Sequence, residues 1–330
     1  MNVIPIILIQ TITILSQTVI CANDQRVITT LKYSKYSITP AVVNGKPARE
    51  GQFPFLVSIK EPIRTLEPCK VVWGNLCGGS IIAKTKVLSA AHCFEVDNFS
   101  YEKNPGVLRV VAGNMKTDII HDGKTETTAN GQWRTILKAI LHKGFTFPTN
   151  DIAIAVVDQP WVYTKNVKPV RLASSMVDYQ GHCMSAGYGR LGFKSGDKIS
   201  PVMLTAEIET VPRWRCSLLW EMNMNTFICS SSAISDVARG DSGGPLLCRR
   251  TGDPEEVNDD GILAGVVSGK NFDMTTLFTR VSAFRTWIAT DGASNEKTDQ
   301  RGAAHKLHVS ASSLGEEMGR NPPRGPSAGW

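Results

Sequence analysis

Gly240-Asp241-Ser242-Gly243-Gly244-Pro245, running on into Leu246-Leu247-Cys248, decides how this chain is read. Glycine has no Cβ, so three glycines around one serine permit a strained turn and a close approach by another backbone. The apolar residues from Pro245 onward read as a short strand that begins where the turn ends. By composition, such a string should arise by chance in well under about one in a thousand chains of this length.

Working outward, similar short apolar runs recur between Gly, Pro, Asn and Asp clusters. They lie at Phe53 to Ile59, Cys77 to Ala83, Leu108 to Ala112, Ile152 to Val157, Leu204 to Val211 and Ile262 to Val267. Short strands between turns predict an all-β sandwich or a pair of barrels. Phe284, Trp287 and Ile288 stand at helical spacing and predict a closing helix. The 330 residues are 42% apolar, enough for a sizeable core, and carry a net charge of +6 with acids and bases interspersed. Without a basic block, nucleic acid is not expected as a partner.

The two ends read differently from the middle. Residues 1–22 are apolar with scattered Gln, Thr and Ser and end at Ile20-Cys21-Ala22, as in a secretory signal peptide. The competing reading is a membrane anchor, against which Gln10, Thr11, Thr13, Ser16, Gln17 and Thr18 count. Residues 23–41 are a polar leader. Residues 294–330, rich in Gly, Ser, Pro and mixed charge, read as a flexible tail. The tail's His305 and His308 lack a third metal ligand nearby. Eight cysteines in an exported chain point to disulfides, and loss of Cys21 with the signal leaves seven.

Two further patterns carry chemistry. Leu88-Ser89-Ala90-Ala91-His92-Cys93 sets a histidine among small residues after an apolar run, and Asn150-Asp151-Ile152-Ala153-Ile154 opens a strand with a carboxylate. Alone, that histidine is usually structural and that aspartate usually a cap or a solvated turn. With the glycine–serine turn, in the order His, Asp, Ser, they read as one constellation. From Val42 to about Ala293 the chain resembles the chymotrypsin and trypsin family of serine proteases. The match includes Val42-Val43-Asn44-Gly45, Gly51-Gln52-Phe53-Pro54-Phe55, Cys77-Gly78-Gly79-Ser80 and Gly187-Tyr188-Gly189.

The resemblance implies two antiparallel six-stranded β-barrels with a short C-terminal helix over residues 42–293, and a secreted, monomeric serine endopeptidase. Ser242 would be the nucleophile, His92 its base and Asp151 the orienting carboxylate. The N–H groups of Gly240 and Ser242 would form the oxyanion hole. Asp241 would pair with the ammonium of Val42 once the leader is cut. Disulfides would join Cys77 to Cys93, Cys183 to Cys248 and Cys216 to Cys229. Cys69 is left as a free thiol, an intermolecular link or a partner of Cys21. Partners would be protein or peptide substrates and protein inhibitors, without a membrane. No cofactor and no metal are expected, because Gly113 and Asn114 stand where the family's calcium loop carries carboxylates.

The chain also departs from the family pattern. Asp236, with Ser268 and Thr276, falls where trypsin-like members build the pocket for Arg or Lys, which predicts cleavage after basic residues. Yet Ala238 replaces a bridged cysteine, and the loop from Gly269 to Thr276 lacks its partner. Gly269 replaces an aromatic wall, Val237 offers no polar side chain, and the positive Lys270 and Arg239 oppose a cationic substrate. Ala41 precedes Val42 where a basic residue is common, so the activator has another preference or the junction lies elsewhere, as after Lys35. Asn98-Phe99-Ser100 is an acceptor for N-glycosylation. The altered pocket and activation site favour an alternative, a non-catalytic secreted homologue acting as a binding or regulatory protein.

Overall fold

β-branched and aromatic residues between turn residues give this chain fifteen strands among the described residues, and they form two sheets. The computed structural model describes residues 45–67, 70–117, 119–121, 131–179, 183–191, 199–231, 236–271 and 275–293. The signal, the leader, the 294–330 tail, Val42, Cys21 and Cys69 lie outside them.

The first sheet holds β2 (Leu56–Glu67), β3 (Lys70–Ala83), β4 (Lys86–Ser89), β5 (Arg109–Ala112), β6 (Ile119–His121), β7 (Gln132–Leu141) and β8 (Ala153–Val157). Their order is β2-β5-β7-β8-β4-β3-β6, and a further β2–β3 pairing closes six of them into a barrel. All these pairings are antiparallel.

The second sheet holds β1 (Lys46–Pro47), β9 (Cys183–Gly187), β10 (Leu204–Ile208), β11 (Thr210–Val211), β12 (Phe227–Ser231), β13 (Pro245–Cys248), β14 (Ile262–Asn271) and β15 (Thr275–Arg280). Its order is β1-β10-β9-β13-β14-β15-β12-β11, so two-residue strands extend a curled core of six at either end. The run from Leu204 to Val211 is thus two strands rather than one: β10 pairs with β9, and β11 pairs with β12.

Ile59, Val110, Ile154, Phe94, Leu247, Leu263 and Val266, all nearly inaccessible, belong to one apolar cluster that runs from the first barrel into the second sheet. Burying each such side chain stabilises by roughly 1.5–3 kcal/mol relative to leaving it in water. The expected closing helix is a 3-10 turn, Val281–Phe284, followed by a short α-helix (Arg285–Ala289), and Phe284, Trp287 and Ile288 are all buried. It packs on the first barrel: His142 meets Phe284 and Trp287, each at 5.5 Å between ring centres, and Lys86 pairs with Asp291 at 2.6 Å.

Candidate active site

His92 and Asp151 meet because β4 and β8 are antiparallel neighbours with Ser89 opposite Ala153. Three residues past Ser89, a 3-10 turn over Ala91–Phe94 presents His92, and two residues before Ala153 the chain presents Asp151. The Asp151 side chain is fully buried. Its Oδ2 lies 2.7 Å from His92 Nδ1, and its Oδ1 accepts the His92 backbone N–H at 2.9 Å. Ser268 Oγ also donates to Oδ2 at 2.6 Å, and Thr279 Oγ1 donates to the Asp151 carbonyl at 2.8 Å. A carboxylate that accepts at both oxygens fixes the imidazole with its Nδ1 turned inward. The ring of Phe147 stands edge-on to His92 at 5.7 Å.

The glycine–serine turn lies where β13 begins and is fastened on all sides. Gly78 N–H donates to the Ser242 carbonyl at 2.7 Å, Gly243 N–H to Val267 at 2.8 Å, and Val267 N–H to Gly244 at 2.9 Å. Gly243 has φ +74°, and a Cβ there would come within 2.6 Å of the Gly78 carbonyl, so only glycine fits. That Cβ would also lie 3.1 Å from Ala90 N, which places the Ser242 loop against the chain that leads into His92. The Cys77–Cys93 bridge ties the His92 turn to β3, beside the Gly78 N–H that holds the Ser242 carbonyl. Gly240, at φ +99°, has its carbonyl held at 2.9 Å by Asn75 Nδ2, and Ser58 Oγ orients Asn75 at 2.7 Å.

Asp241 is fully buried beneath this loop, accepting N–H groups from Gly189 at 2.8 Å and Ala238 at 2.9 Å. Burial pushes its carboxyl up to about 6 against the pull of those two N–H groups, with Asp236 adding to the rise. Its expected partner, Val42, is outside the described residues.

The pocket residues differ from expectation. Asp236 offers no free carboxylate: it is fully buried, and Lys270 Nζ is bound directly to its Oδ2. Its Oδ1 accepts Thr276 Oγ1 at 2.5 Å and the Val237 N–H at 2.8 Å. Ser268, expected to face substrate, turns its hydroxyl to Asp151, and Thr276 turns its own to Asp236. Arg239 is exposed.

The bridges Cys77–Cys93, Cys183–Cys248 and Cys216–Cys229 join the pairs that the resemblance implies. Cys77, His92 and Cys93 place ligand-type atoms within 4.8 Å of one another, but both sulfurs are spent on their mutual bond. Asn98 is exposed on α1 (Val96–Lys103). Sequence reasoning missed Asn75, Phe147 and Thr279, whose roles depend on partners far along the chain. It placed Ser268 in the pocket and did not foresee that its hydroxyl donates to Asp151.

Comparison with known proteins agrees with this architecture. A family model described as Trypsin matches residues 42–288. A mouse protein named transmembrane protease serine 7 is 28% identical over 262 residues, covering 75% of this chain and 28% of its own length. Its rat counterpart is 28% identical over 264 residues, with the same coverage. A mouse atrial natriuretic peptide-converting enzyme is 29% identical over 219 residues, covering 64% of this chain and 17% of its own. The chain therefore spans less than a third of the length of these relatives. No helix among the described residues is long and apolar enough to cross a membrane. The matched region holds both sheets, the His92–Asp151 pair and the Ser242 turn, and the chain belongs to the trypsin family of serine proteases.

Proposed function

We propose that this protein is a secreted serine endopeptidase acting through Ser242, His92 and Asp151. The observation that carries the reading is the doubly bonded Asp151–His92 pair, set at the end of β4 against which the Ser242 loop packs. In this mechanism the Ser242 hydroxyl attacks a peptide carbonyl while His92 Nε2 takes its proton. His92 then gives that proton to the leaving amine, and the acyl-enzyme is released by water through the reverse proton path. Asp151 keeps the imidazole in one tautomer and stabilises the imidazolium. The N–H groups of Gly240 and Ser242 receive the negative charge that grows on the carbonyl oxygen.

Activity follows removal of the leader, when the Val42 ammonium reaches Asp241. A carboxyl that burial, with Asp236 beside it, raises to about 6 gains most from an adjacent positive charge, which supports this assignment. Secretion rests on the signal-like residues 1–22, and glycosylation on the exposed Asn98.

The second reading, a non-catalytic homologue that binds rather than cuts, draws on the Lys270–Asp236 pair in the pocket. A fluorophosphonate probe separates the two. Covalent labelling of Ser242, lost in Ser242→Ala and strongly slowed in His92→Ala, is the expected result. A folded, processed protein that resists the probe as completely as Ser242→Ala is the binding homologue instead.

A further inference from the structure

Resting on the peptidase reading, we propose that Lys270 is the specificity-determining residue of this site. Its side chain fills the pocket beside Ser242 and makes Asp236 an internal counterion, so that the substrate residue before the scissile bond is short and uncharged rather than Arg or Lys.

The location follows from the chain path. β14 crosses the nucleophile loop through paired bonds between Val267 and residues Gly243 and Gly244. The next residue, Ser268, holds Asp151, and Lys270 follows two residues on. On the other side, Asp236-Val237-Ala238 leads into the same loop, with Ala238 bonded to both the backbone and the side chain of Asp241. A peptide whose carbonyl faces Ser242 must direct its preceding side chain between these two segments. Lys270 already spans that gap, bound to Asp236 Oδ2.

The pair is closed to water, with Lys270 2% and Asp236 0% exposed. Burial draws the Lys270 ammonium below the ordinary lysine range, and the adjacent carboxylate acts against that fall. Thr276 lies opposite Lys270 in the β14–β15 register and bonds the other carboxylate oxygen. An arriving guanidinium would therefore face an ammonium, or would have to expel it and reorganise a buried ion pair. The four methylenes of Lys270 offer an apolar wall instead. A purely structural role is the competing reading, since this ion pair ties together the two segments that lack the family's usual bridge at Ala238.

p-Aminobenzamidine, whose amidinium resembles the end of an arginine side chain, distinguishes these readings. It is titrated by fluorescence into the full chain carrying Ser242→Ala, with and without Lys270→Ala, so that the result does not depend on turnover. The parent should show no saturable binding. Lys270→Ala should create a site, and adding Asp236→Ser should abolish it. In the catalytically intact protein, a peptide mixture varied at the residue before the cut should show Ala or Val preferred. Lys270→Ala should raise the Arg-to-Ala ratio by about 10²-fold. Saturable binding in the parent overturns the proposal, as does a folded Lys270→Ala chain that gains none. If that variant does not fold, Lys270→Met keeps the stem without the charge, and the parent titration still decides. Absence of hydrolysis from every chain after processing to begin at Val42 would refute the peptidase reading, while the binding titration would still judge the pocket.

Discussion

Asp151 has no contact with solvent, and every donor around it bears on the imidazole's position. Asp151→Asn would put an amide N–H where the carboxylate now accepts from His92 or Ser268, and would favour the wrong tautomer. The expected outcome is a fall in kcat of about 10⁴ with the fold retained. Ser268→Ala removes only one donor to a carboxylate that keeps both His92 contacts. A charged hydrogen bond is worth about 1.5–3 kcal/mol, so kcat should drop by about 10- to 100-fold with KM little changed. Steady-state kinetics on both variants tests the ranking, and a Ser268→Ala loss as large as that of Asp151→Asn would contradict it. At this scale the strings that hold His92, Asp151 and Ser242 were legible because each is short and distinctive, and the fold brings His92 onto Asp151. The fate of Asp236 was not, because Lys270 lies 34 residues away and only the fold brings them together.

Each of the strands expected from the short apolar runs exists, although several boundaries move. β14 runs on past Val267 to Asn271, through a bulge between Val267 and Gly269. That extension carries Lys270 into a buried position opposite Thr276, and no local pattern announces a lysine inside a strand core. Disulfides divide by what they fasten. Cys183 and Cys248 face each other across β9 and β13, 65 residues apart in sequence, and their bridge joins two strands of the second sheet. Replacing both with serine should cost about 2–5 kcal/mol of stability, seen in urea melts, while kcat is kept at temperatures where the chain stays folded. Replacing Cys77 and Cys93 should cost kcat as well, because that bridge fastens the turn bearing His92 to the strand that holds the Ser242 carbonyl. Equal kcat in the two double variants would show that the bridge plays no part in positioning.

At the scale of the whole molecule, the proposed pairing of Asp241 with the Val42 ammonium predicts that processing changes the pH dependence of stability. Burial raises its carboxyl from an ordinary 3.8 to about 6, so without a cationic partner the folded chain holds that proton more tightly than the unfolded chain does. The stability this contributes is fully present below pH 4 and is lost as the pH rises through 6, amounting to about 3 kcal/mol at most. Asp253 and Glu256 act the other way, since the hydrogen bonds they accept hold both below their ordinary values despite burial. Their stabilisation grows as pH rises and is common to every form of the chain. In a chain that begins at Val42, the new ammonium favours the ionised carboxylate, and the Asp241 loss should vanish. The difference in unfolding free energy between processed and unprocessed chains should therefore widen from pH 4.5 to pH 7.5. It should shrink again at higher pH as the terminal amine loses its proton. Urea titrations of both forms across this range measure that difference directly. Parallel stability curves for the two forms would show that the Val42 ammonium never reaches Asp241, and activation would then need another explanation.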